Sequence, residues 1–217
     1  MRTLIYPLVF LTVFFSAQLA AEPLTLDQLK KVQKKLQTSD YLTIDFKQEA
    51  YSSLRKRSSH FSGRGMFAKP SKFHWIQEKP VKKEFIFSGT ELVQYLPDQK
   101  SASKFKANDD ESSRFSKLSD LVLNMSVLLD EYKLVKAERV AKEKIINVNL
   151  EPKTKSTDII RVDLVIAEDK NFVKTVVLSY DGGKRYTYQF SNPSFDPIAE
   201  TNFRFEPPPG VKLEVFP

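Results

Sequence analysis

Short runs in which apolar and polar residues alternate dominate the chain and restrict it to few folds. From Tyr41, "YLTIDFKQ" sets Leu42, Ile44 and Phe46 against Thr43, Asp45 and Lys47. A period of two sends one set to a core and the other to water, the pattern of a half-buried antiparallel strand. Runs of the same kind follow at short spacing: "HFSGRGMFA", "KFHWIQE", "KEFIFS", "ELVQYL", "YKLVKAERV", "KIINVNL", "IIRVDLVIA", "FVKTVVLSY" and "RYTYQFS". Turn residues stand at many joints, among them Ser88-Gly89, Pro97-Asp98 and Asp181-Gly182-Gly183. The reading is about ten strands, mostly linked as hairpins.

Two segments carry helical spacing instead. In "LTLDQLKKVQKKLQ", Thr25 and Gln28 form a capping box, Leu24 and Leu29 a hydrophobic staple, and Leu26, Leu29, Val32 and Leu36 an apolar stripe. In residues 116–130, "SKLSDLVLNMSVLLD", Leu118, Leu121, Val122, Met125, Leu128 and Leu129 share one helix face. A helix set into a long antiparallel sheet should cover a face or an opening. The preceding "KANDDESSR" reads as a polar loop whose acids are solvated, with no His or Cys near enough to complete a metal site.

The N-terminus reads as an export signal. Arg2 gives a positive start, "LIYPLVFLTVFF" an apolar stretch too short to span a bilayer, and "SAQLAA" small residues for cleavage near Ala20 or Ala21. The expected organisation is a signal peptide over residues 1–21 and a single domain over 22–217. The formal net charge of +7 owes only Arg2 to the signal, so the mature chain stays basic; its acids and lysines are interspersed, as on an ordinary solvated surface. There is no cysteine, which removes thiol chemistry, Cys-ligated metal and lipidation on an N-terminal Cys.

Few residues advertise catalysis. His60 and His74 lack a companion at ligand or triad spacing, and no G-x-S-x-G, H-E-x-x-H, phosphate-binding or dinucleotide motif occurs. No enzyme, cofactor or metal site is expected. Arg64, Lys69 and Lys72 interleave with Phe67, Phe73 and Trp75, but export and a modest charge argue against nucleic acid. Apolar surface is what remains. A sheet curved into a cup, lined by Phe, Trp, Ile and Leu under an amphipathic helix, could hold lipid; periodicity alone does not separate such a cup from a filled core.

The strings "FKQEA", "GRGMFAKPSKFHW", "FSGTELVQYLPD" and "FRFEPPPGVKL", in that order, resemble the LolA family of periplasmic carriers of outer-membrane lipoproteins. The resemblance covers nearly the whole mature chain. It implies a mainly β fold with an α lid: a strongly curved, incomplete antiparallel β-barrel covered by amphipathic helices, over a hydrophobic cavity for acyl chains. The lipid-binding residues it implies are Ile44, Phe46, Phe67, Phe73, Trp75, Leu118, Leu121, Val122, Met125, Leu128 and Leu129. In that family a basic residue, usually Arg, precedes the proline after the second strand and holds the lid. Here it is Lys69, whose ammonium lacks the guanidinium's planar fork.

The resemblance further implies a monomer in the periplasm that acts as a chaperone, binding acylated lipoproteins. It would receive them from an inner-membrane ABC-type transporter and pass them to a LolB-like outer-membrane receptor. Alternatives on the same fold are a glycolipid carrier and an RseB-like lipoprotein-sensing domain. A LolB-type receptor is itself a lipoprotein, which the missing cysteine disfavours.

Overall fold

The computed structural model describes residues 21–36, 39–106, 110–123, 128–154 and 158–216. Residues 1–20 of the expected signal peptide and Met125 of the helical stripe lie outside them. After a two-residue strand, β1 (Glu22–Pro23), comes the first helix, α1 (Leu26–Leu36). A first meander then runs through β2 (Tyr41–Ser52), β3 (Arg57–Ala68), β4 (Lys72–Lys79), β5 (Lys83–Phe87), β6 (Glu91–Leu96) and β7 (Ser101–Lys106). Two helices, α2 (Asp110–Val122) and α3 (Leu128–Glu131), separate it from a second. That one comprises β8 (Tyr132–Val140), β9 (Ile145–Pro152), β10 (Ile159–Ala167), β11 (Phe172–Tyr180) and β12 (Arg185–Ser194), and β13 (Lys212–Val215) closes the chain.

These strands make one sheet in the order β1-β8-β9-β10-β11-β12-β2-β3-β4-β5-β6-β7-β13. The meanders join where β12 pairs antiparallel with β2, Tyr188 opposite Gln48 and Phe190 opposite Phe46. Only β13, on β7, is parallel to its neighbour among the described strands. The sheet begins at β1 and ends at β13, so it does not close. Yet Phe46, Phe87, Leu150, Ile166 and Val176, spread across that order, lie in one buried cluster, which requires the sheet to curl around them.

All ten strand-like runs are strands. The structure adds β1, β7 and β13, which hydropathy did not mark: β13 is exposed along its length and is held by backbone bonding to β7. The capping box is present, with the Thr25 N–H donating to Gln28 Oε1 at 2.7 Å and the Gln28 N–H to Thr25 Oγ1 at 3.3 Å. Leu24, Leu29, Val32 and Leu36 are buried, but Leu26 is 45 % exposed and leaves the stripe.

Two corrections concern the mid-chain helix. It starts at Asp110, so residues 110–114 of the expected polar loop are helical backbone; acid-rich sequence suits the positive end of a helix dipole. The expected continuous helix over 116–130 instead appears as α2 and α3, with residues 124–127 between them outside the described part. In sequence these helices lie between β7 and β8; α2 packs against β4 and β11 and α3 against β8, so they cover the interior of the curved sheet.

A smaller apolar patch lies on the outer face. Ile86 and Val93 are cross-strand partners there, and Phe203 is buried in a helical turn, Glu200–Phe203, that packs on β4. Lys72 bonds Glu200 across the same contact, and Phe205 meets Tyr95 at 5.2 Å. Phe203 and Phe205 of the "FRFEPPPGV" string therefore pack on the back of the sheet.

Candidate functional site: an aromatic interior under a helical lid

The inward residues of β2, β3 and β4 are set by register. Ile44 pairs with Gly65 and Gly65 with Trp75, so this glycine stands between two large side chains on the inner face. A Cβ there would lie 3.0 Å from the Phe67 ring and 3.1 Å from the Trp75 ring. Gly63 precedes it on the same face, beside a register shift, and a Cβ on it would lie 1.9 Å from the Ile76 carbonyl oxygen. With no side chains at these two points of β3, Phe46 of β2 reaches across the strand and stacks on Trp75 of β4, centroids 3.7 Å apart.

Around this pair the rings continue. Phe67 and Tyr188 meet Trp75 edge-on at 6.3 and 6.0 Å, and Phe73 stacks with Phe87 at 5.2 Å. Such pairs contribute about 0.5–1.5 kcal/mol each beyond their buried area. The lid enters the same cluster through Phe115 of α2, whose ring lies 5.1 Å from Phe73, 5.4 Å from Trp75 and 5.0 Å from Phe85. Leu118, Leu121, Val122 and Leu128 are buried with it, and Leu129 packs partly buried against them.

Every described lipid-binding candidate thus belongs to one cluster. Phe85, Phe87, Tyr188 and Phe115 belong to it too and were missed. The first three were marked by alternation in "KEFIFS" and "RYTYQFS". Phe115 sits three residues before Leu118 on the helical stripe, but starting the helix at Ser116 set it aside.

The lid has its own polar fastening. Lys117 of α2 donates a hydrogen bond to Glu131 of α3 and lies 5.5 Å above the Tyr132 ring. Burial lowers the pKa of this ammonium, but the Glu131 bond and the surrounding negative groups more than offset it, so the pKa lies above the ordinary lysine value. Burial also raises the Tyr132 phenol. Lys69, at the end of β3, has its ammonium 3.6 Å from Asp40 Oδ1 and its backbone N–H on the Asp40 carbonyl at 2.9 Å. His74 faces outward; its Nε2 lies 3.0 Å from Glu84 Oε2, and this bond holds the Glu84 carboxyl below the usual range against burial.

As packed, the interior leaves little room. A hollow of about 200 Å³ lined by Phe61, Trp75, Phe85, Phe115 and Tyr186 reaches the aromatic floor, below the roughly 300–1,000 Å³ of sites that bury a drug-sized ligand. A larger groove of about 800 Å³ adjoins it, sharing Gln48 and Phe61 and otherwise lined by Lys47, Glu49, His60, Ser62, Thr187 and Gln189, with Lys79 and Pro80 at its side. By strand alternation these six stand on the face away from Phe46 and Tyr188. Among the described residues no group of His, Cys, Asp and Glu could hold a metal ion.

A family model, outer membrane lipoprotein carrier protein LolA, matches residues 37–206. The chain belongs to the LolA family. The match takes in both meanders and the lid segment between them. No curated protein matches this LolA-family chain in sequence. An uncharacterized conserved protein from Thermus thermophilus has a similar structure at 10% identity and a TM-score of 0.55, over 87% of this chain and 99% of that one. A LolA superfamily protein from Nitrosomonas europaea aligns at 10% identity and 0.44, over 81% and 97%. The MucB of a Pseudomonas aeruginosa MucA/MucB complex aligns at 14% and 0.42, over 83% and 60%.

Proposed function

We propose that this LolA-family chain is a periplasmic chaperone: it accepts lipoproteins leaving the inner membrane, shields their acyl chains in its interior and delivers them to an outer-membrane receptor. The observation that carries the reading is Phe115, a lid residue seated among Phe73, Trp75 and Phe85. It occupies apolar space that withdrawal of one short helix would free. Ile44, Phe46, Phe67, Phe73 and Trp75 are the proposed floor, the α2 and α3 leucines with Val122 and Met125 the proposed cover, and Lys69 the proposed lid contact.

The energetics suit a carrier that must both take up and let go. Each methylene removed from water contributes about 0.8 kcal/mol, so a diacyl or triacyl anchor does not cross water unaided. Re-seating Phe115 and the lid leucines after cargo leaves recovers part of that gain and lowers the cost of release. No covalent chemistry is needed. The partners of this reading are acylated lipoproteins, an inner-membrane ABC-type transporter and a LolB-like receptor.

The test is native mass spectrometry of the signal-cleaved protein after lipoproteins are released from spheroplasts in its presence. A stoichiometric complex with acylated lipoprotein, lost when the acyl chains are removed, is the expected result. A bare protein, or one holding only free lipid, would overturn the lipoprotein assignment and redirect it to glycolipids or other amphiphiles.

A further inference from the structure

One end of the sheet carries an exposed apolar tip within a ring of cations. The turn between β2 and β3, residues 53–56, places Leu54 at its apex with 96 % of its surface exposed, followed by Arg55, Lys56 and Arg57, all exposed. The hairpin stands proud of its neighbour, because β3 meets β4 only from Ser62, which pairs with Lys79. Residues 57–61 therefore project beyond β4, a reach of roughly 16 Å at strand rise. The projection is braced, since Ser53 Oγ donates to the Gly182 carbonyl in the turn between β11 and β12.

That second turn adds Lys184 and Arg185. Lys184 lies 4.8 Å from the Tyr186 ring and Arg185 5.7 Å from Tyr51, so both cations sit over aromatic rings at the root of the hairpin. The turn between β4 and β5, at the same end, exposes Val81 beside Lys82. Acids share this end: Glu49 accepts from Ser58 at 2.5 Å and Asp181 from the Gly182 N–H at 2.9 Å, and Glu78 on β4 and Asp158 just before β10 stand exposed, so the cations gather at the hairpin tip itself. A single exposed leucine on a protein surface is ordinary. A leucine at the summit of a braced hairpin, with three consecutive cations behind it and tyrosines at its base, has the layout of an interfacial anchor.

We propose that this end of the molecule docks on an anionic bilayer, with Leu54 entering the headgroup and acyl boundary and Arg55, Lys56, Arg57, Lys184 and Arg185 meeting lipid phosphates. Charge complementarity selects the occupant: cations clustered at this tip draw in a surface of negative headgroups, each contributing about 1 kcal/mol near it. The hollow that reaches Trp75 and Phe115 also lies at this end, lined by Gln48, Gln77 and Lys83 as well as by rings. Docking would bring the bilayer to that opening. The proposal stands on the surface residues and holds whether or not the interior carries lipoprotein.

The chain has no cysteine, so Leu54→Cys in the signal-cleaved full chain can be labelled at one site with an environment-sensitive dye. Vesicles containing phosphatidylglycerol should shift the emission to shorter wavelength, and vesicles of phosphatidylcholine alone should not. The same dye on Lys170→Cys, in the turn at the opposite end, should stay unchanged. In flotation, Arg57→Ser should weaken binding about fivefold, Leu54→Glu should reduce it further, and high salt should release the protein. Both positions are exposed, so unchanged melting certifies the fold. An unmoved dye at Leu54, equal shifts at both sites, or crosslinking of the hairpin to a protein with no vesicle response would each overturn the proposal. Its outcome is separate from the mass-spectrometry test, because flotation requires no cargo.

Discussion

Phe115 is the residue on which the proposed mechanism turns. Truncation to Ala removes a ring packed against three others, and the expected cost is about 3–4 kcal/mol, read as a lower urea midpoint. An ordinary core truncation would do no more. If Phe115 fills space meant for acyl chains, Phe115→Ala should also bind a fluorescent fatty acid more tightly than the parent, despite lower stability. Trp75 is the only tryptophan and 1 % exposed, so its emission should move to longer wavelength in the variant and back when probe binds. A second residue-scale prediction concerns Glu84. Its folded pKa is held below the unfolded value of 4.5, chiefly by the hydrogen bond from His74. The stabilisation is therefore complete above the unfolded value and is lost as pH falls through the folded one. Urea midpoints should drop for the parent between about pH 5 and 3, and less steeply for Glu84→Gln, which starts lower at neutral pH.

Among the elements, the lid is the one whose stability sets the proposed cycle. Lys117 ties α2 to α3 through Glu131 and covers the Tyr132 ring. Lys117→Met keeps the aliphatic stem and deletes the charge, so local opening of α2 should become easier by about 1 kcal/mol. Hydrogen exchange of the α2 amides should then quicken about fivefold while the β9–β10 amides hold their rates. With a folded pKa above the ordinary lysine value, the contribution of Lys117 is full below that value and is lost only as pH rises through the folded pKa. Elements were also where sequence reading was strongest. Strands with a wet face and a dry face announced themselves by alternation; β7, "SASKFK", did not, because its inward residues are Ser101, Ser103 and Phe105, with only one apolar side chain among them. The site was half legible for a similar reason. Alternation gives the face of each ring but not its partners, and the Phe46–Trp75 stack depends on two inward glycines whose meaning appears only once β2 and β4 flank them.

At the scale of the molecule, eleven of the thirteen described strands form two runs of neighbours in sequence, β2 to β7 and β8 to β12, joined by one ladder between strands far apart in the chain, with β1 and β13 added at the sheet's two edges. Local hairpins lose little loop-closure entropy and form early; the β12–β2 ladder must enclose almost the whole chain before it gains anything. In stopped-flow folding, Val162→Ala within the second meander should act mainly by slowing folding, and Phe190→Ala at the junction mainly by speeding unfolding. Equal partition at both sites would place the junction in the rate-limiting step instead. Until that ladder forms, β2 has a bare edge with Leu42, Ile44 and Phe46 beside it. A chain emerging N-terminus first keeps this edge open until its twelfth strand arrives, so misassembly between two copies would begin at β2, with the β12 of one chain closing onto the other.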